Sequence, residues 1–331
     1  MMKFRFYGRI AAIVLACAAA AGAAAQDSYP NRPVRLIVGL APGGLADQIA
    51  RLLGPGLSKE LGQQVLVENR VGATGTIAAR MVADSPPDGY ILMLGLDGTL
   101  IIPTALNPKT PFDPLKDFTP ITKVAETPLI LVAHPSVPVN SLVELINLSR
   151  SATGGQQFYY GTAGSGSSTH LAGEYLKLLT GLRMTHVAYK GAGDATRDNV
   201  GGQIPLTFSA VPSALPFVKS GRLKGLAVTS DKRFAGLPDV PTAAESGLPA
   251  LKGFNLQAWG GMFGPPGMPE AIVRRVHDAA TKALADRELV EKYATIALTV
   301  SVTTPAQLAK QVATELEQWR RVIREAGIKP E

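Results

Sequence analysis

The chain predicts an α/β fold with mainly parallel sheets, and three observations carry that prediction. Short apolar runs rich in Val, Ile and Leu alternate with longer segments of helical period, which is the pattern of successive βα units. With 46% hydrophobic and 18% charged residues, the chain is too apolar to be disordered. At 331 residues it exceeds what a single core readily fills, so two compact domains are expected.

The N-terminus stands apart from the fold. Lys3, Arg5 and Arg9 precede an apolar run from Ile10 to Ala25 that ends in Ala23-Ala24-Ala25 before Gln26-Asp27. A basic start, a short apolar middle and an A-x-A ending predict a signal peptide over residues 1–25, cleaved after Ala25, and hence an exported protein. As a membrane anchor the run is shorter than the roughly 20 residues needed to span, and much of it is Ala. Val14-Leu15-Ala16-Cys17 loosely resembles a lipoprotein site, but only Ile10 to Ala16 would then precede a lipidated Cys17. Cleavage after Ala25 removes the lone cysteine, so an oxidising compartment poses no difficulty. The formal charge of +7 hints at nucleic acid; less these three leader cations it becomes +4, and no nucleic-acid partner is expected.

Strands are predicted at Val34–Val38, Val65–Val67, Tyr90–Leu94, Leu129–Val132, Phe158–Tyr160, His186–Tyr189 and Leu226–Val228. Leu171, Tyr175, Leu178 and Leu179 form one helical stripe between the fifth and sixth. The end of the chain is helical over Pro269–Ala285, Glu288–Ala294 and Pro305–Ala326, with Pro305 in the first turn and Gly327 as the stop. Crossings between domains are expected near Glu126–Pro128 and Gly253–Trp259. Residues 26–126 and 254–331 would then form one lobe and residues 127–253 the other, with a hinge of two crossing segments.

Three places repeat one device, in which an apolar strand ends, glycines and small polar residues follow, and a helix begins. They are Val38 to Asp47 (V-G-L-A-P-G-G-L-A-D), Gly161 to His170 (G-T-A-G-S-G-S-S-T-H), and the weaker Tyr189-Lys190-Gly191-Ala192-Gly193-Asp194. Glycine lets the backbone turn and approach a ligand, and the first helical N–H groups have no partner within the helix. Such a terminus accepts an anion. Several charge-assisted bonds of ~1.5–3 kcal/mol each suffice for micromolar binding, about 8 kcal/mol. The plainer alternative is that the glycines only make tight turns.

Other chemistries fit less well. Gly164-Ser165-Gly166 begins a dinucleotide fingerprint, but Thr169 stands at its third glycine, and Pro42-Gly43-Gly44 lacks the Lys of a P-loop. No G-x-S-x-G elbow and no H-E-x-x-H occurs. His170 and Glu174 share a helix face, which alone more often makes a hydrogen bond than a metal site. Ser165, Ser167 and Ser168 beside His170 leave a secreted serine hydrolase acting on a carboxylated substrate as the alternative reading. No cofactor or metal is expected.

At these residues the sequence resembles the Bug or TctC family, the extracytoplasmic solute-binding receptors of tripartite tricarboxylate transporters. The matching set includes Tyr29-Pro30, Ala41-Pro42-Gly43-Gly44 with Asp47, and Val67-Glu68-Asn69-Arg70 with Gly72-Ala73. It continues through Pro87-Asp88-Gly89-Tyr90, Pro111-Phe112-Asp113-Pro114, His170-Leu171, Tyr189-Lys190-Gly191, Leu237-Pro238-Asp239-Val240-Pro241-Thr242 and Trp259. The ordered set covers about residues 29–328.

The resemblance implies a two-lobed clamshell of periplasmic-binding-protein type, located in the periplasm and without catalysis. It implies a small organic carboxylate in the cleft, a di- or tricarboxylate or another organic acid, held by backbone amides and hydroxyls. It also implies delivery to membrane permease subunits; a signalling partner in place of a permease is the other possibility. A monomer is expected. The predicted ligand-binding residues are Leu40, Gly43, Gly44 and Asp47 from one lobe, and Thr162, Ser165, Gly166, Ser168 and Thr169 from the other. Asp47 either contacts the ligand or bonds back to its loop. Ser209 and the Lys190-Gly191 turn rank behind them. Gly39-Leu40 stands where the family commonly has Pro-Phe, and Phe208-Ser209 where Phe-Asp is common. Ser209 favours a ligand without a positive amino group.

Overall fold

Among the described residues ten strands join into one continuous mixed sheet, in the order β2 (Val65–Asn69), β1 (Val34–Val38), β3 (Ile91–Leu96), β9 (Gln257–Gly264), β4 (Thr119–Ala133), β7 (Leu206–Ala210), β5 (Phe158–Thr162) and β6 (Met184–Ala188), with β10 (Thr299–Val300) and β8 (Lys224–Val228) also paired to β4. The structure is a computed structural model that describes residues 29–151, 158–189 and 191–328. The predicted signal peptide with its Ala25 cleavage site, Cys17, and Lys190 of the third turn lie outside the described residues.

The chain begins with β1 (Val34–Val38), α1 (Leu45–Leu61), β2 (Val65–Asn69), α2 (Thr76–Ala83) and β3 (Ile91–Leu96), then the short helices α3 (Asp97–Leu100) and α4 (Ile102–Leu106). The long β4 (Thr119–Ala133) leads to α5 (Leu142–Ser151), β5 (Phe158–Thr162), α6 (Ser168–Thr180) and β6 (Met184–Ala188). Next come α7 (Ala192–Val200), β7 (Leu206–Ala210), α8 (Val211–Lys219) and β8 (Lys224–Val228). The return strand is β9 (Gln257–Gly264), followed by α9 (Glu270–Leu284), α10 (Arg287–Thr295), β10 (Thr299–Val300) and α11 (Pro305–Ala326).

Parallel pairing holds within two groups of βα units, β2-β1-β3 and β7-β5-β6. Around β4 and β9 the pairing is antiparallel. The cause is direction of travel, because the chain leaves the first group on β4 and returns on β9, and adjacent strands traversed in opposite senses pair antiparallel. Alternation of strand and helix does not separate these crossing strands from the rest, so the sheet is less uniformly parallel than the sequence suggests.

β4 changes partner midway. Through Pro128, opposite Gln257, it pairs with β9, and from Leu129 onward it pairs with β7 and β8. Thr229 fastens both sides of the change: its Oγ1 accepts the Leu129 N–H at 2.9 Å, and its carbonyl accepts the Leu256 N–H at 3.0 Å.

One apolar cluster covers β1 with α1 and α9, through Val34, Leu36, Ile49, Leu53, Val276 and Ala280. Of these, Val34, Leu36, Ile49, Leu53 and Val276 each contribute roughly 1.5–3 kcal/mol when fully buried. A second cluster draws residues from both groups, among them Met93 and Leu100, Leu171 and Leu206, around Leu308, Val312, Leu316 and Trp319 of α11. This last helix packs on α4, α6 and β4 together. It starts in a capping box between Thr304 and Gln307 with Pro305 in the first turn, and it ends on Gly327 at φ 66°.

Candidate ligand-binding site

In open α/β sheets, ligands sit beyond the carboxyl ends of parallel strands, and the glycine turns leave β1 and β5 there. The first turn is tightly tied. Gly43, at φ 79°, adopts a left-handed conformation that a side chain would strain. A Cβ on Gly39 would lie 2.8 Å from the Gly75 Cα, so β1 exits directly against the neighbouring glycine turn.

Asp47 is buried and bonds back to its loop. Its carboxylate accepts the Gly43 N–H at 2.8 Å, the Arg51 guanidinium at 2.9 Å and the Asn69 amide at 2.9 Å. Burial opposes its ionisation, but the bonds from Arg51, Gly43 and Asn69 prevail and hold the carboxyl below its ordinary range. Asn69 also donates to the Leu40 carbonyl at 3.0 Å. The Gly44 N–H closes the turn on Ala41 O at 3.2 Å. Helix α1 then starts without a side-chain cap, leaving the N–H groups of Leu45 and Ala46 without a partner inside the helix.

The second turn is ordered by its own hydroxyls and by two stacked imidazoles. Thr162 is fully buried; its Oγ1 lies 2.7 Å from His186 Nε2 and accepts the Gly164 N–H at 3.2 Å. Thr169 Oγ1 accepts the Ala163 N–H at 3.1 Å, and His170 Nδ1 accepts the Gly166 N–H at 3.1 Å. The His170 and His186 rings stack with centroids 3.7 Å apart. Ser167 caps α6 by accepting the His170 N–H at 3.2 Å. The N–H groups of Ser168 and Thr169, the first two residues of α6, have no acceptor within the helix. Ser165 is half-buried on this turn.

The structure therefore redistributes roles among the predicted residues. The N–H groups of Gly43, Gly44 and Gly166 are spent inside the turns, because each has one proton to donate. Asp47, Thr162 and Thr169 act through their side chains as supports. Ser209 is fully buried on β7, with its hydroxyl 3.4 Å from that of Thr196. Glu174 accepts from the Tyr160 hydroxyl at 2.7 Å and from Lys177 at 2.8 Å. The third turn contributes Gly191 as the uncapped start of α7.

Sequence reasoning gives no site role to Asn69, His186 or Asp97. The last stands in Leu96-Asp97-Gly98-Thr99, where β3 ends, a glycine follows and a helix begins. It is the same signal as the other turns, with a single glycine. Asp97 is buried, and its Oδ2 accepts the Ser168 hydroxyl at 2.8 Å. Burial raises its pKa to about 6 against the bonds from Ser168, Gly98 and Trp259 and the field of Lys123. Behind it, Glu315 on α11 accepts the Trp259 indole N–H at 2.9 and 3.0 Å, and burial followed by the nearby Asp97 raises it to about 7.

With this geometry in place, comparison with known proteins assigns the family. Residues 49–328 match the model of the tripartite tricarboxylate transporter family receptor, TctC. The chain belongs to this family.

A protein of Agrobacterium vitis from the TAR-I ttuE-ttuC' intergenic region is 37% identical over 92% of this TctC-family chain and 87% of its own. Protein BugT of Bordetella pertussis is 35% identical over 96% of both chains. Among solved structures, R. palustris Rpa4515 with adipate superposes with a TM-score of 0.82 at 33% identity, covering 92% of this chain and all of that one. MatC from Rhodopseudomonas palustris with bound malate gives 0.78 at 34% identity, over 89% of this chain and all of that one. The fold is that of periplasmic binding proteins such as BugD, at a TM-score of 0.78. Among the described residues no helix is long and apolar enough to cross a membrane, and no three His, Cys, Asp or Glu side chains are grouped to hold a metal.

Proposed function

We propose that this chain is an exported receptor that captures a small organic carboxylate and hands it to the permease of a tripartite tricarboxylate transporter, with no catalysis of its own. Residues 26–126 with 254–331 and residues 127–253 act as two lobes, hinged where β4 and β9 cross. The ligand lies between the turns that follow β1 and β5. Its carboxylates are met by the N–H groups of Leu45 and Ala46 at the start of α1, and by Ser165 with the N–H groups of Ser168 and Thr169 at the start of α6. Leu40, Gly43, Gly44 and Asp47 on one side, and Thr162 and Gly166 on the other, shape and hold these donors.

One observation carries this reading: each parallel group ends in a glycine turn fixed by internal hydrogen bonds and opening a helix with N–H groups to spare. Donors ordered before the ligand arrives lose little freedom on binding, which favours affinity. Relatives at 33–34% identity solved with adipate and malate agree in ligand class. Ser209, in place of the family's common Asp, favours acids without an amino group.

The hydrolase alternative needs a serine paired with a base. Ser167 Oγ instead donates to Gly164 O at 2.6 Å, Ser168 Oγ donates to Asp97, and His170 Nδ1 is occupied by Gly166. Thermal-shift screening of residues 26–331 against a panel of carboxylic acids tests the reading. A binder raises stability by about 2.7 kcal/mol at a hundredfold excess over Kd. Recovery of the acid unchanged supports a receptor, whereas turnover of an ester or amide of it that is lost in Ser165→Ala supports the enzyme.

A further inference from the structure

Asp97 joins three parts of the molecule through one carboxylate. It follows β3 in the first parallel group. Its Oδ1 accepts the Trp259 backbone N–H on the crossing strand β9 at 3.4 Å, and its Oδ2 accepts the hydroxyl of Ser168, the first residue of α6 in the second group. The two groups are in close contact around this bond. A Cβ on Gly98 would lie 3.1 Å from Ser168 Oγ, and one on Gly166 would lie 2.9 Å from Leu106 Cδ2 of α4.

The charged groups facing Asp97 come from two other elements. From β4, Lys123 pairs with Glu126. From α11, Glu315 accepts from Trp259 Nε1 and from Gln311 at 2.8 Å. Among the described residues none of these is hydrogen-bonded to Ser168, whereas Asp97 connects the crossing strand to the ligand turn.

We propose that Asp97 is a positioning residue for ligand capture: its carboxylate, held on β9 by the Trp259 N–H, latches Ser168 and the start of α6 against the first group and sets how readily the cleft opens. The inference rests on the receptor reading above. A hydrogen bond to an ionised acceptor is strong enough to shift an open–closed balance about tenfold. Ser168 thus serves twice, with its side chain on the latch and its N–H toward the ligand. Removing the latch frees the cleft to open, so ligand enters faster as well as leaving faster.

The test combines stopped-flow binding of adipate and malate with small-angle scattering of the ligand-free protein, for the wild type, Asp97→Ala, Ser168→Ala and the double variant. Asp97→Ala is expected to raise both the association and the dissociation rates about tenfold and to enlarge the ligand-free radius of gyration, with Ser168→Ala adding nothing to it. Faster dissociation with unchanged or slower association overturns the latch in favour of simple support of the turn, as do additive effects or an unchanged radius. Where truncation lowers the melting temperature, Asp97→Asn keeps the shape and one acceptor oxygen, and it is expected to change both rates in the same direction. If no acid binds the wild type, the receptor reading fails, while the ligand-free scattering still decides the latch.

Discussion

Asn69 at the end of β2 donates to the Asp47 carboxylate at 2.9 Å, tying the first glycine turn to the next strand. The same amide nitrogen holds the Leu40 carbonyl, so one side chain fixes both ends of the turn. Asn69→Ala is expected to cost about 1–3 kcal/mol by leaving Asp47 and Leu40 O short of a donor. Chemical denaturation measures the stability loss, and calorimetry should show weaker ligand binding with it.

The glycines of this turn are not equivalent. A Cβ at Gly43 meets nothing within 4 Å, so Gly43→Ala carries only the strain of φ 79°, about 1 kcal/mol. At Gly39 the Cβ would meet Gly75 backbone, and the two turns would have to separate. Gly39→Ala is therefore expected to reduce melting temperature and affinity much more than Gly43→Ala. Equal effects of the two would contradict the close approach of the turns.

Removing the cap of α6 probes the second turn. Ser167 accepts the His170 N–H and donates to Gly164 O, so Ser167→Ala loses a cap worth ~1 kcal/mol and loosens the turn as well. Denaturation midpoints should fall accordingly, and Ser167→Asp, which restores an acceptor, should recover most of the loss.

Asp97 and Glu315 give stability an alkaline slope. Their pKa values, raised to about 6 and about 7, mean that the folded protein holds these protons more tightly than the unfolded chain, where carboxyls titrate near 4. Their contribution is complete below about pH 4 and is lost as the pH rises through 6 and 7. The loss is on the order of a few kcal/mol for each group, since each displaced pKa unit corresponds to about 1.4 kcal/mol. Melting temperature should fall between about pH 4.5 and 7.5, and Glu315→Gln should flatten the upper part of that fall. A profile unchanged by the substitution would contradict it.

Much of this was legible in the sequence because it rests on local pattern. Val34–Val38 and the Pro305–Ala326 helix announce themselves by apolar period, Pro305 and Gly327, and the turns by glycine after a strand. The antiparallel course of β4 and β9 was not legible, since pairing direction depends on where the chain travels next. Nor were the supporting partners. His186 and Asn69 lie 24 and 22 residues from the hydroxyl and carboxylate they hold, and Asp97 lies 71 residues from Ser168. Sequence spacing carries no trace of such long-range hydrogen bonds. Local chemistry makes the glycine and hydroxyl residues candidates to face a ligand; what it does not reveal is that Gly43, Gly44, Gly166, Asp47, Thr162 and Thr169 also bond within the turns.

Titration calorimetry of residues 26–331 with adipate, malate and aspartate tests the central claim most directly. Micromolar or tighter binding of an organic dicarboxylate at one site is expected, weakened by Asn69→Ala in the first glycine turn and by Ser167→Ala in the second, with aspartate bound more weakly. Absence of binding to any carboxylate in a broad panel, or binding indifferent to both substitutions, would contradict it.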